Sequence, residues 1–474
     1  MLQNPLEAGA GYSSLAALFV AQAKRYPKKI LYRFWHAGLW QSLTWSEALI
    51  RVQELALGLI SLGVAKDDRV VIFSGNRVEW LLIDWANICI GALSVPIYAS
   101  SSASQALHII NHADPAVLIV DSARRLDKLD FTRAALSGLK ATVHFTDEKA
   151  ERVIYGSSKT LSFEALRAAG RLYDIGQPGA FEARVQSLQL QDDLTIIYTS
   201  GTTGVPKGVL TTHANYLFMI RAVDAAVPSS ERDVTLHFLP TAHSLGRLEH
   251  FMAVAKGWTL GVARSIETIP TDLREIRPTV LFSVPRIYEN AYSRIRLRLK
   301  SMSAWKRQVY EWALAAGKRR VEHHQRGVKL DARRALMSKL INRLIFAPVR
   351  AGFGSRLRVA ISGGAPLASD VALFFRAMDV AILEGYGLTE TSTVSHVNRP
   401  DHFKLGAVGL PLAGTECRIA DDGEILLRGP HIFKAYFRDL LATEEAIDGA
   451  GWFHTGDIGV IDADGFLTVT DRKK

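Results

Sequence analysis

The order of periodicities along this chain of 474 residues predicts an α/β protein. Three observations carry the expectation. From Arg69 to Val120, β-branched runs alternate with helical stretches, the rhythm of parallel strands joined by crossover helices. At Leu194–Tyr198 a buried-strand pattern runs into a loop of glycines and hydroxyls. Beyond Val408, short strands with glycine turns (Glu416–Ile419, Glu424–Arg428) signal a small β-barrel-like unit.

Taken in order, Ser13 to Gly63 reads as a helix, a hairpin and a helix. Arg33–Trp35 and Leu39–Trp45 alternate like paired strands, and Ser46 opens an amphipathic helix to Leu62. A strand is expected at Arg69–Ser74, a helix through Trp80–Ile90 and a strand about Ser94–Ile97. A helix from Ser104 to Asn111 then leads to a strand at Ala116–Val120. Residues 122–190 are polar and weakly periodic and predict little. Asn215–Ala226 reads as a helix. Thr235–Leu239 reads as a strand that ends at Pro240 and feeds a strand-to-helix loop, Thr241–Arg247. Pro278–Tyr288 reads as a strand and turn. Leu357–Ser362 reads as a strand ending in Gly363-Gly364-Ala365-Pro366, where the glycines permit close approach of a flat ligand.

Composition narrows the class. The length exceeds one simple core and suggests two or more packed units. Hydrophobic residues make up 48% and charged residues 22%, the balance of a soluble globular protein. Two cysteines, Cys89 and Cys417, are too few for a disulfide framework, so a reducing cytosol is the expected compartment. Met1–Pro5 lacks the basic-then-apolar order of a signal peptide. The longest apolar run, Trp80–Tyr98, carries Asp84 and Asn87 and reads as a buried helix entering a strand, not as a membrane span.

The net charge of +10 is concentrated. Arg294–Arg350 holds sixteen Lys and Arg against three acids, a surplus of thirteen, which leaves the remainder at −3. The region predicts two or three basic amphipathic helices, separated near Gly327 and carrying Trp305, Tyr310, Trp312 and Leu314. Such a face can pack on a core, meet an anionic membrane surface, or dock an acidic partner or the phosphates of coenzyme A. Nucleic acid is not expected, since no recognition module accompanies the charge.

The most informative stretch is Tyr198-Thr199-Ser200-Gly201-Thr202-Thr203-Gly204-Val205-Pro206-Lys207-Gly208. Its glycines let the backbone approach a ligand closely. Thr199, Ser200, Thr202 and Thr203 offer hydroxyl donors, and Lys207 adds a positive charge. That is the chemistry of a polyphosphate cradle. The spacing is not that of the P-loop, because Gly208 and not Ser or Thr follows Lys207.

Two further motifs follow: Glu384-Gly385-Tyr386-Gly387-Leu388-Thr389-Glu390-Thr391, and Gly451-Trp452-Phe453-His454-Thr455-Gly456-Asp457. In content and order the three resemble the AMP-forming adenylating enzymes: acyl-CoA synthetases, luciferases and peptide-synthetase adenylation domains. The resemblance covers nearly the whole chain. It implies the large N-terminal domain of the adenylate-forming fold, with two packed α/β subdomains over residues 1–400 carrying the ATP and acyl sites. A β-barrel-like subdomain over 401–470 and a hinge stub at 471–474 would follow, ahead of a smaller C-terminal domain that this sequence does not include.

The resemblance also implies roles. Thr199, Ser200, Gly201, Thr202, Thr203, Gly204 and Lys207 would hold the β- and γ-phosphates of ATP. Gly363, Gly364 and Ala365, with Glu384, Gly385 and Tyr386, would frame adenine, and Gly387 and Leu388 belong to the same nucleotide motif. Thr389 would bond the α-phosphate, and Glu390 with Thr199 would ligate Mg²⁺. Asp457 would accept from the ribose hydroxyls, Arg472 would reach the same sugar, and His243 would border the carboxylate substrate. Thr199, Lys207, His243, Thr389 and Glu390 are thus the expected catalytic set.

Phe238–Arg247, Ser265–Ile269 and Leu273–Thr279 resemble the long-chain fatty acid branch, which often has Glu where this chain has Gly246. The implied activity is that of an AMP-forming long-chain fatty acid–CoA ligase, using ATP, Mg²⁺, a fatty acid and coenzyme A. The alternatives are a fatty acyl-AMP ligase loading a carrier protein, and a non-catalytic nucleotide- or acyl-binding fragment. Lacking the C-terminal domain, the chain is expected to bind ATP and acid but to adenylate weakly. The implied location is cytoplasmic, peripheral at the inner face of a membrane through the basic 294–350 region.

Overall fold

The computed structural model describes residues 11–122, 125, 129, 138–146, 159–200, 206–325 and 345–473. The chain forms two compact units. The first joins Met1–Arg221, Leu239–Gly257 and Pro430–Ala446; the second joins Ala222–Phe238, Trp258–Gly429 and Ile447–Lys474.

The first unit is built on a mixed eight-stranded sheet. Its strands lie in the order Ala435–Tyr436, Pro206–Thr212, Asp193–Ser200, Leu93–Ile97, Arg69–Phe73, Val117–Val120, Ala141–His144, Lys159–Ser162. The centre is parallel, with Val71 opposite both Val95 and Leu118. Leu93–Ile97 and Val117–Val120 are buried at every position, which is why Val117–Val120 reads as an unbroken apolar run and Leu93–Ile97 is interrupted only by Ser94, whose Oγ accepts from Asn87 Nδ2 at 3.0 Å. Asp193–Ser200 joins through Ser94 opposite Thr195, whose Oγ1 donates to the Ser94 carbonyl at 2.6 Å. It then pairs antiparallel with Pro206–Thr212.

Helix Trp45–Ser61 begins at a capping box. The Thr44 N–H donates to Glu47 Oε2 at 2.8 Å, and the Glu47 N–H to Thr44 Oγ1 at 3.3 Å. The stretch that predicted little supplies this helix with a partner, Phe163–Gly176. The two touch backbone to backbone, since a Cβ on Gly170 would fall 1.8 Å from the Glu54 carbonyl and one on Gly58 2.3 Å from the Leu166 carbonyl. Helix Val78–Ile90, the expected buried helix of the apolar run, is buried everywhere but Glu79 and ends at Gly91, φ +73°.

The second unit contains the parallel pair Val234–His237 and Thr259–Val262. Its five-stranded sheet runs Val280–Ser283, Val359–Ser362, Ile382–Tyr386, His396–Val397, Leu410–Pro411, parallel through the first three strands and antiparallel thereafter. After Val408 the chain forms an antiparallel sheet in the order Glu416–Ile419, Glu424–Arg428, Phe453–Ile461, Leu467–Arg472.

The basic region contributes helices Pro285–Lys300, Ala304–Gln325 and Ala347–Gly352; the expected break at Gly327 lies outside the described residues. Helix Ala304–Gln325 departs from the single amphipathic face expected of it. Tyr310, Leu314 and Val321 are buried, whereas Trp305 and Trp312 are 64% and 54% exposed. Gly317 lets it press on helix Ser369–Ala377, where a Cβ would lie 2.3 Å from the Ala377 carbonyl. Among the described residues no helix is long and apolar enough to cross a membrane.

Candidate active site

The predicted residues fall in both units, and each group is built differently. In the first unit Thr199 stands opposite Lys207, and Ser200 opposite Pro206, at the end of the antiparallel hairpin where its connecting loop begins. Gly201, Thr202, Thr203 and Gly204 lie outside the described residues. The hairpin is tightly backed. A Cβ on Gly208 would meet Ile196 Cγ2 at 2.8 Å. The Tyr198 hydroxyl lies 2.7 Å from His112 Nδ1, and burial holds that imidazole below its ordinary pKa. The edge strand Ala435–Tyr436 pairs on the far side, and the Phe437 N–H donates to the Gly208 carbonyl at 2.7 Å. This sets Lys207 Nζ 5.1 Å from the centroid of the Tyr436 ring, a cation–π contact. Tyr436 was not among the expected site residues; its signal is the aromatic density of Phe433-Lys434-Ala435-Tyr436-Phe437.

His243 caps helix Ser244–Lys256, its Nδ1 accepting the Leu245 N–H at 3.2 Å. Burial lowers its pKa, so the ring is neutral, and acceptance at Nδ1 leaves the proton on Nε2. The helix behind it is buried from Ser244 to Val254. It is held by an ion pair with no solvent exposure, Arg247 Nη1 to Asp84 Oδ1 at 2.9 Å. Burial raises the Asp84 pKa and the Arg247 charge opposes that rise. His250 Nε2 meets Trp85 Nε1 at 2.8 Å and the Tyr32 hydroxyl at 3.0 Å. The charge that interrupted the apolar run at Asp84 therefore has a partner in the helix that carries His243. Gly246 is sterically required, since a Cβ there would lie 2.4 Å from the Pro240 carbonyl.

In the second unit the parallel register sets Glu384 beside Ser362, so the Glu384 motif and the Gly363-Gly364-Ala365 turn leave adjacent strand ends. Gly364 takes φ +81°, which favours glycine. Glu384 is 7% exposed, and burial pushes its carboxyl up to about 7 against backbone N–H donors from Leu367 and Gly406. The Tyr386 hydroxyl donates to Asp457 Oδ2 at 2.7 Å, and Arg472 Nε donates to Asp457 Oδ1 at 3.1 Å. Asp457 and Arg472 are themselves opposed across antiparallel strands. Three predicted residues from distant parts of the chain are thereby one hydrogen-bonded group.

Thr389 and Glu390 begin a 3₁₀ turn, Thr389–Thr391, closed by the Leu388 N–H donating to Thr391 Oγ1 at 2.8 Å. Only glycine fits before it: a Cβ on Gly387 would fall 2.2 Å from the Thr393 carbonyl. Ser392 and Thr393 take φ +49° and +108°, the latter a costly conformation for a β-branched residue. Sequence reading did not single out either. Their only signal is a run of small hydroxyl residues after the motif.

The family described as AMP-binding enzyme matches residues 19–437. The long-chain-fatty-acid–CoA ligase FadD15 of Mycobacterium bovis is 36% identical over 468 residues, spanning 98% of this chain and 75% of that protein. The peroxisomal long chain acyl-CoA synthetase 7 of Arabidopsis thaliana is 32% identical over 457 residues, 92% of this chain and 62% of that protein. The inhibitor-bound N-terminal domain of FACL13 from Mycobacterium tuberculosis superposes with a TM-score of 0.72 at 22% identity, covering 97% of this chain and 100% of that one. That last likeness is one of fold.

Proposed function

The chain belongs to the AMP-binding enzyme family, and from that premise we propose that it is an AMP-forming long-chain fatty acid–CoA ligase. One observation carries the reading of the site: Tyr386 and Asp457, 71 residues apart, share a hydrogen bond while Arg472 takes the other carboxylate oxygen. An adenosine needs a flat face beside an acceptor for its sugar hydroxyls. An aromatic ring tied to a carboxylate supplies both, and each carboxylate oxygen keeps a further lone pair.

A free carboxylate is a poor acyl donor because oxide is a poor leaving group. Its oxygen attacks the α-phosphorus of ATP, the bond to the β-phosphate breaks, and pyrophosphate departs. The thiolate of coenzyme A then attacks the acyl carbonyl and AMP leaves. The first step brings two anions together, so neutralising and aligning charge is the protein's main task. Lys207, Thr199, Ser200 and the Gly201–Gly204 loop would take the β- and γ-phosphates, and Thr389 the α-phosphate. Neutral His243, with its proton on Nε2, would donate a hydrogen bond at the acid's carboxylate. Glu384, Gly385 and Gly363–Ala365 would enclose the adenine that Tyr386 faces, with Gly387 and Leu388 shaping the turn.

Mg²⁺ takes hard oxygen donors, with one or two carboxylates beside substrate phosphates. Half-buried Glu390 and the Thr199 hydroxyl fit that demand, and the bound ion would neutralise phosphate charge. The reading extends to a membrane surface met through the basic 294–350 region.

Calorimetric titration with a long-chain acyl sulfamoyl adenosine, a stable mimic of the acyl-adenylate, tests the proposal. Tight binding is expected, weakened by Asp457→Ala and by shortening the acyl chain. Equal affinity for the mimic and for sulfamoyl adenosine lacking the chain would refute the acyl assignment.

A further inference from the structure

We propose that the outward face of helix Ala304–Gln325 is a lipid-docking surface that seats in the headgroup zone of an anionic membrane. The proposal rests on the reading of the substrate as a long-chain fatty acid, and it narrows the broad basic region to one stripe.

Trp305, Val309 and Trp312 stand at i, i+4 and i+7, the spacing of one helix face, and are 64%, 44% and 54% exposed. The opposite face, with Tyr310, Leu314 and Val321, is already buried in the protein. The outer stripe thus keeps about half of its apolar surface in solvent, yet two of its three side chains are tryptophan. Indoles favour the membrane interface, where the ring is in an apolar layer and the N–H stays wet. On the preceding helix, Pro285–Lys300, Leu297 is 66% exposed.

The charge selects the occupant. The two helices carry ten Lys and Arg, five on each, against Glu289, Glu311 and Glu322, a surplus of seven, or six once Arg320 is set against its ion-pair partner Asp379. A second copy of the same face would bring like charges together, which disfavours it. Neutral lipid would leave the surplus uncompensated. Anionic headgroups satisfy both features, since basic side chains meet the phosphates while the tryptophans enter beneath them. Lys306 Nζ lies over the Trp305 ring, 5.6 Å from its centroid, a cation–π contact that sets a positive charge beside the indole.

Co-sedimentation with vesicles tests this without ATP or acid, so its result is independent of whether the chain is a ligase. The protein is mixed with vesicles of phosphatidylcholine alone, and with vesicles containing phosphatidylglycerol. The wild type is expected to sediment with the anionic vesicles only, and less so at high salt. Trp305→Ser with Trp312→Ser should weaken that binding about tenfold or more, since partition scales with the apolar area inserted. The control is Leu172→Ser with Ile175→Ser, another exposed apolar pair, 71% and 79% exposed on helix Phe163–Gly176, and it should bind as wild type. Thermal melts of both variants matching wild type exclude unfolding. No binding to anionic vesicles overturns the proposal, as does equal loss in the control or unchanged binding by the double tryptophan variant. Selective binding of an acidic polypeptide in place of vesicles would reassign the stripe to a protein partner and likewise overturn it.

Discussion

Glu384→Gln isolates a single buried proton at the candidate adenine site. Burial raises the Glu384 carboxyl from 4.5 to about 7 although two backbone N–H groups favour its ionised form. The folded state thus holds this proton more tightly than the unfolded chain does. The stabilisation is whole below pH 4.5, declines as pH rises, and is lost above pH 7. The difference between the two pKa values corresponds to about 3 kcal/mol across that window. Glutamine keeps the shape and an oxygen for the Leu367 and Gly406 N–H groups, but has no proton to lose. Urea unfolding of both proteins, repeated from below pH 4.5 to above pH 7, cancels every other titrating group in the difference. The wild type should lose about 3 kcal/mol relative to the variant over the range. A difference that stays flat with pH would refute the assignment of a buried, proton-holding carboxyl.

Other perturbations reach different parts of the account. Arg247→Met strands a fully buried Asp84 carboxylate and should cost about 3–5 kcal/mol in urea unfolding, most of it recovered by adding Asp84→Leu. Gly387→Ala must displace the Thr393 carbonyl and should destabilise by about 2 kcal/mol or more, with ATP binding lost by calorimetry; Gly176→Ala, with nothing within 4 Å, should melt at or above the wild-type temperature. Tyr386→Phe keeps the ring but removes its bond to the Asp457 carboxylate. ATP affinity should fall between about tenfold and a hundredfold, which corresponds to the roughly 1.5–3 kcal/mol ascribed to a hydrogen bond to a charged group, and Tyr386→Ala should cost more.

The parallel core was legible because its strands are buried on both faces, so Val70-Val71-Ile72-Phe73 and Val117–Val120 carry an unbroken apolar signal. Residues 122–190 were not. Strands Ala141–His144 and Lys159–Ser162 are four residues each, and helix Phe163–Gly176 buries only Leu166 and Gly170 fully. Its contact with helix Trp45–Ser61 is made through glycines, which leave no hydrophobic trace. Helix Ala304–Gln325 misled for the opposite reason. Apolar residues on both its faces produce helical spacing without saying which side packs. At the site, motif identity pointed to Tyr386 and Asp457 separately, but only the antiparallel pairing of Phe453–Ile461 with Leu467–Arg472 brings Arg472 onto Asp457. Tyr436 escaped notice because its contact with Lys207 depends on an edge strand of two residues.

The most direct test of the central claim is acid-dependent release of pyrophosphate from ATP and Mg²⁺, measured across fatty acids of increasing length with and without coenzyme A. The account predicts release that requires the acid, peaks with long chains and disappears in Lys207→Ala. Release that is indifferent to the acid, or that persists without Lys207, would contradict it.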